Sequence, residues 1–130
     1  MIDVDYLSPS LVCLKYQDKI YLMEDFYEGT FYKFTNNSFL WPNPKWTEEE
    51  KLLVDFSHWT NEWTNGNLMV ADLQGWKFAN RQFVLTDPAI HSKESIFGSK
   101  TDLGSIGFGR YLMFHREICY EEKCLLFTLL

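Results

Sequence analysis

An α+β fold is predicted by three observations on the 130-residue sequence. Short runs rich in Val, Leu, Ile, Phe and Tyr, separated by turn residues, fill the stretch up to Phe34. A full helix-start signature stands at Thr47. The second half then mixes strand runs with helical periodicity, so strands come first and helices later.

Residues 10–16 and 19–25 read as two strands, with Gln17 and Asp18 in hairpin position. A third short strand is expected at 30–34, after Gly29. Asn36-Asn37-Ser38 breaks that pattern, and Pro42 and Pro44 mark a loop. Thr47-Glu48-Glu49-Glu50 is a capping box: the Thr hydroxyl accepts from a free backbone N–H and Glu50 reaches back. Its three acids suit the positive end of the helix dipole. Leu52, Leu53, Phe56, Trp59, Thr60 and Trp63 follow helical spacing, and Asn65-Gly66 ends the helix. A strand is expected at Leu68–Ala71 and another just before Asp87-Pro88. Residues 98–107 read as an open glycine loop, 105–116 as a helix, and Glu121 to Leu126 as a final helical segment.

Composition narrows the function classes. Apolar residues make up 46% and aromatics 18%, enough for a core, which excludes intrinsic disorder. Twelve basic against 18 acidic residues give a net charge of −6, the wrong sign for a nucleic-acid footprint. No run approaches the ~18 apolar residues of a membrane span. The acidic start Met1-Ile2-Asp3-Val4-Asp5 is unlike a signal peptide, so a cytoplasmic location is expected. Three cysteines, Cys13, Cys119 and Cys124, suit reduced thiols or a metal site better than a disulfide scaffold.

Four constellations could carry chemistry. In extended backbone, Asp72 and Gln74 would face one cleft while Leu73 faces the core. The same residues also suit a strand that simply ends in polar groups and the Gly75 turn. Pro88 disfavours the helical region for Asp87 and would hold it extended, as a fixed metal ligand or as an ordinary turn. The loop with Gly98, Gly104 and Gly107 could let backbone approach phosphates ahead of a helix N-terminus, although it lacks the Walker pattern. His115 and Cys119 share a helix face at i, i+4, and both are zinc-ligand types. Cys124 joins them only if the helix ends or bends near Tyr120, and His58 could supply a fourth ligand. The alternative is core or surface imidazoles beside buried thiols.

Taken in order, these motifs closely resemble the alpha-type protein kinases. The resemblance is carried by Met23-Glu24-Asp25-Phe26-Tyr27-Glu28-Gly29, Tyr32-Lys33-Phe34-Thr35-Asn36-Asn37, Phe56-Ser57-His58-Trp59-Thr60 and Gly66-Asn67-Leu68-Met69-Val70-Ala71-Asp72-Leu73-Gln74-Gly75. It continues in Leu85-Thr86-Asp87-Pro88-Ala89-Ile90-His91, Phe97-Gly98, Leu103-Gly104-Ser105-Ile106-Gly107 and His115, over residues 10–118. It implies the C-terminal lobe of a two-lobed kinase-like fold. Residues 10–40 would form the hinge and the end of the N-terminal lobe, and 46–130 the C-terminal lobe.

The resemblance also implies transfer of the γ-phosphate of ATP to Ser or Thr of a protein substrate, with Mg²⁺. Asp72 would orient the attacking hydroxyl, Gln74 and Asp87 would stand at the magnesium site, and Glu24 would meet adenine. Gly98, Gly104 and Gly107 would form the late glycine motif, and His58 and His115 would be ligands of a structural Zn²⁺. The family's two zinc cysteines stand at +2 and +6 from the histidine. Here those positions are Glu117 and Glu121, and Cys119 and Cys124 are the candidate thiols. The family's lysine for the ATP phosphates lies upstream of the hinge, and neither Lys15 nor Lys19 matches its motif. With that lobe largely missing, strands in 10–26 would be uncovered, and self-association is expected. The alternative reading is a catalytically inactive kinase-like binding or scaffold module stabilised by zinc.

Overall fold

The computed structural model describes residues 1–39 and 45–115. In chain order it has β1 (Asp3–Tyr6), β2 (Ser10–Leu14), β3 (Lys19–Met23), β4 (Phe31–Lys33), α1 (Glu48–Trp63), β5 (Leu68–Ala71), β6 (Gln74–Lys77), a tight turn at Ala79–Arg81 with Asn80 and Arg81 at positive φ, β7 (Gln82–Leu85), β8 (Ala89–Ser92) and α2 (Gly104–His115). A four-stranded sheet runs in the order β1-β7-β6-β4, with β1 parallel to β7 and the other pairs antiparallel. β2 and β3 form a hairpin of their own, and β5 pairs antiparallel with β8.

The α+β expectation holds, and the best-marked element is where the sequence puts it. At Thr47 both capping-box bonds form: Glu50 N–H donates to Thr47 Oγ1 (3.3 Å) and Thr47 N–H to Glu50 Oε2 (2.9 Å). After Trp63 the chain leaves the helix through Asn65 and Gly66, both at positive φ. Gly66 N–H closes back on the Asn61 carbonyl at 2.8 Å. Leu53 and Val54, adjacent on α1 and fully buried, point into different clusters. Leu53 packs with Phe34, Leu73, Phe83 and Leu85 under the four-stranded sheet. Val54 packs with Phe39, Met69, Ala71, Ala89 and Tyr111 beneath β5, β8 and α2. The helix is thus the wedge between the two sheets. Thr60 pins it there, its Oγ1 accepting from Val70 N–H at 3.0 Å.

Several expectations need correction. The hairpin strands stop at Leu14 and Met23, because residues 15–18 form a longer turn with Asp18 at φ 46°. β1, β6 and β8 were not foreseen: β1 and β8 are four-residue strands whose partners lie well away along the chain, and β6 is hidden by the polar Gln74 and the glycine at its start. Gly75 is not a turn residue. It sits inside β6 opposite Leu85, where a Cβ would stand 2.1 Å from the Val84 carbonyl oxygen, so only glycine allows the strands to approach. Helix α2 begins at Gly104, so the open loop is shorter than 98–107. The helical segment 121–126 lies outside the described residues.

Among the described residues no helix is long and apolar enough to cross a membrane. The hairpin is the least covered element: Leu11, Ile20 and Leu22 are 72%, 69% and 71% exposed.

Candidate active site

Two sheets exchange strands at one place. The chain leaves β5 through Asp72 and Leu73 and enters the four-stranded sheet at Gln74. It leaves that sheet after β7 through Thr86, Asp87 and Pro88 and rejoins β5 as β8. Each crossing contains one aspartate in the left-handed region, Asp72 at φ 57° and Asp87 at φ 47°. Aspartate enters this region more readily than most residues because its short side chain can bond locally. Asp87 therefore departs from the extended backbone expected before Pro88. The reversal between two sheets demands a positive φ that the proline preference does not supply.

Gln74 ties the crossings together. Its Nε2–H group donates to Asp72 Oδ2 (3.3 Å) and to the Asp87 carbonyl (3.2 Å), and its own carbonyl accepts from Thr86 N–H (3.0 Å). Leu73 is fully buried while Asp72 and Gln74 are half-buried, the alternation expected of them. Leu73 is clamped from β4's continuation: its carbonyl accepts from Phe34 and Thr35 N–H (2.9 and 3.1 Å), and its N–H donates to Thr35 Oγ1 (3.0 Å). Lys33, at the end of β4, brings its ammonium to 2.8 Å from Asp72 Oδ1. That oxygen is buried and takes no well-aligned hydrogen bond among the described residues. On the far side of the same core wall, burial and then the charge of Asp72 raise the Tyr6 phenol above the ordinary tyrosine range.

Beside this bridge opens a cavity of about 410 Å³ lined by Leu22, Glu24, Phe31, Gln74, Thr86 and Asp87. Thr86 Oγ1 donates to Glu24 Oε2 at 2.7 Å, which locks the segment after the hairpin onto the Asp87 crossing. So the structure gathers Glu24, Gln74 and Asp87 around one cavity, with Asp72 one hydrogen bond away through Gln74. Lys33, Thr35 and Thr86 complete the site and carried no assigned role in the sequence. Thr86 had a usable signal, its place next to Asp87-Pro88. Lys33 lay in the Tyr32–Asn37 segment without a partner that sequence alone could name.

None of the three glycines lines the cavity. At Gly104 a Cβ would stand 2.4 Å from Ser95 Oγ, and at Gly107 2.4 Å from His91 Cδ2, so both positions are occupied by packing. Gly98, at φ 94°, has open space beside it. The order of this loop comes from Asp102, which the sequence reading passed over. Its Oδ1 accepts from Ser92 N–H (2.8 Å) and Gly104 N–H (2.9 Å), and its Oδ2 from Ser92 Oγ–H and Phe97 N–H (3.2 Å). Burial opposes its ionisation, but the bonds from the Ser92 side chain and then the Ser92, Gly104 and Phe97 amides hold its carboxyl down to about 2. His91 is buried next to it. Leu103 N–H donates to His91 Nδ1 (3.1 Å), so Nε2 carries the proton and donates to the Asn37 carbonyl (2.5 Å). Burial pushes its imidazole below the usual range.

His58 and His115, from α1 and the end of α2, are brought together: His58 Nδ1 lies 3.1 Å from His115 Nε2. His58 Nε2 is 2.9 Å from Glu62 Oε1, and His115 Nε2 is 3.6 Å from Asp55 Oδ1. Cys119 and Cys124 lie outside the described residues. Among the described residues no group of three or more His, Cys, Asp or Glu side chains is arranged to hold a metal ion.

The sequence profile of the Alpha-kinase family matches residues 1–121. The chain belongs to the alpha-kinase family. The alpha-protein kinase vwkA of Dictyostelium discoideum is 30% identical over 97 residues, which cover 72% of this chain and 14% of that protein. An alpha kinase from Entamoeba histolytica superposes with a TM-score of 0.67 at 28% identity, over 88% of this chain and 50% of that one. The alpha-kinase domain of myosin heavy chain kinase A, solved with ADP, superposes with a TM-score of 0.72 over 96% of this chain and 48% of that one. Its 24% identity makes it a likeness of fold. The chain thus spans a small part of the curated relative and about half of each solved chain.

Proposed function

We propose that the chain supplies the C-terminal catalytic lobe of an ATP-dependent protein serine/threonine kinase, with residues 10–40 as the hinge and the end of the N-terminal lobe and 46–130 as the C-terminal lobe. The observation that carries this reading is the convergence of Glu24, Gln74 and Asp87 on one cavity, with Asp72 bonded to Gln74. Phosphoryl transfer asks a protein mainly to position reactants and to neutralise charge. Asp72 would orient the substrate hydroxyl, its carboxylate steadied by Lys33 and Gln74. Glu24, held by Thr86, would face the adenine end of the nucleotide. Gly98 is the loop glycine with room for a close phosphate approach.

The donor set fits Mg²⁺. Asp87 offers an exposed carboxylate, and among the described residues no hydrogen bond engages the amide oxygen of Gln74; hard oxygen donors of this kind suit that ion. When bound, Mg²⁺ supplies charge neutralisation at the phosphates. Zn²⁺ fits the histidine pair: two nitrogens of a tetrahedral zinc site stand ~3.3 Å apart, close to the spacing seen here. The Glu62 contact would fix the His58 tautomer so that Nδ1 faces the metal. Cys119 and Cys124 would complete that site.

The test is incorporation of phosphate from ATP into Ser/Thr of a protein substrate, by the chain alone and fused to the N-terminal lobe of another alpha kinase. Activity should appear with Mg²⁺ in the fusion and only in trace in the chain. Asp72→Ala and Asp87→Ala should each cost at least ~100-fold, from lost positioning and lost charge neutralisation. Gln74→Ala should be milder, since a neutral amide holds the metal less strongly. Equal activity in the wild-type and Asp72→Ala fusions would refute the site assignment.

A further inference from the structure

Tyr6 in β1 has a buried hydroxyl with no hydrogen-bond partner among the described residues. Its ring belongs to the core under the four-stranded sheet, with Leu73, Leu85, Val70 and Phe56. Tyr6, Leu85 and Gly75 occupy one row across β1, β7 and β6. Gly75 presents no side chain, and three residues before it stands Asp72, whose buried Oδ1, like Ser57 Oγ on α1, has no aligned hydrogen bond among the described residues. A buried donor without a partner among the described residues and an acceptor whose other support is the half-exposed Lys33 ammonium thus share one core wall, and the phenol is sensitive to the Asp72 charge. A buried hydroxyl left unpaired is costly, whereas a hydrogen bond to a carboxylate is among the stronger ones.

We propose that Tyr6 is a positioning residue for Asp72, its phenol O–H turning to donate to Asp72 Oδ1 from the core side while Lys33 holds the same oxygen from the solvent side. The two supports are unequal. The Lys33 side chain is 40% exposed, so water and anionic ligands compete for its ammonium. The Tyr6 hydroxyl is shielded and stays protonated across the working pH range, so towards the carboxylate it acts only as a donor. It therefore fixes the Asp72 rotamer when Lys33 is drawn to other charge. The functional role rests on the phosphotransfer reading of Asp72; the contact itself does not.

A double-mutant cycle in the 130-residue chain tests the contact. Tyr6→Phe keeps the ring and removes only the hydroxyl. It should lower the melting temperature by about 3–5 °C when Asp72 is present and leave it unchanged or raised in an Asp72→Asn background. A hydroxyl with no partner predicts the opposite sign, stabilisation by Tyr6→Phe in both backgrounds; equal changes in the two backgrounds would overturn the proposal. In the fusion used to test phosphotransfer, Tyr6→Phe should lower kcat several-fold with KM for ATP unchanged, since Tyr6 does not line the Glu24 cavity. A raised KM with kcat intact would overturn the positioning role. A fusion in which the wild type transfers no phosphate would refute the kinase reading, and the thermal cycle would still decide whether Tyr6 holds Asp72.

Discussion

Removing Asp102 should collapse the link between β8 and α2. The residue is 3% exposed, and its two oxygens serve four donors: Ser92 N–H, Ser92 Oγ–H, Phe97 N–H and Gly104 N–H. Three of these are main-chain groups that cannot turn away when the acceptor is lost. In Asp102→Ala each stranded donor costs up to ~1–3 kcal/mol, and partial rehydration should leave a net loss of about 3 kcal/mol. In thermal unfolding that is roughly 10 °C or more. Asp102→Asn keeps one acceptor oxygen and turns an amide NH₂ toward donors, so about half of the loss should remain. The pH dependence has a fixed sign. The folded carboxyl is held down to about 2 from an ordinary value near 3.8. Its contribution is therefore complete above the unfolded value and is lost as pH falls through the folded one. The stability gap between wild type and Asp102→Asn, followed by denaturant unfolding, should stay constant from pH 7 to about pH 5 and shrink between about pH 4 and 2. An Asn variant as stable as wild type at pH 7, or a gap that persists unchanged to pH 2, would refute this account.

Two further outcomes are expected. Purified protein should carry about one Zn²⁺ per chain, chelation should lower its melting temperature, and His115→Ala should mimic the chelator; folded protein without zinc would reject the site. β2 and β3 pair only with each other among the described residues, and Leu11, Cys13, Ile20 and Leu22 share one face of that hairpin. The chain should therefore self-associate at micromolar concentration, and Leu11→Lys with Ile20→Lys should restore a monomer in sedimentation; a wild-type monomer there would count against the uncovered-hairpin account.

What could be read from the sequence was what local signals fix. The Thr47 capping box and the Leu53–Trp63 periodicity set α1 because both act within a few residues. The hairpin was legible from its apolar runs, and the pairing of His58 with His115 from their being zinc-ligand types and from the resemblance. β1 was not legible, since Asp3–Tyr6 becomes a strand only through β7, a partner far along the chain. The glycine loop misled for a different reason. A glycine that spares a phosphate and a glycine that spares His91 look alike in sequence, and Gly107 is the second kind. Asp102 passed unnoticed because a surface acid and a buried four-donor acceptor also look alike.

The two site aspartates show why the remaining error was systematic. Strand logic treats each segment as continuing extended until a turn residue stops it. At Asp72 and Asp87 the chain instead changes sheets, from β5 to β6 and from β7 back to β8, in opposite directions at one place. A residue at such a crossing needs a positive φ, and glycine would provide it most easily. Glycine carries no carboxylate. Aspartate accepts the conformation at a cost of up to ~1–2 kcal/mol and retains the charge. Such strain persists only where the surroundings over-determine the position. Here Gln74 bonds both crossings, Thr35 clamps Leu73, and Thr86 bonds Gln74 and Glu24. The crossing that joins the two aspartates through Gln74 is thus also what takes both off the extended backbone assumed for them.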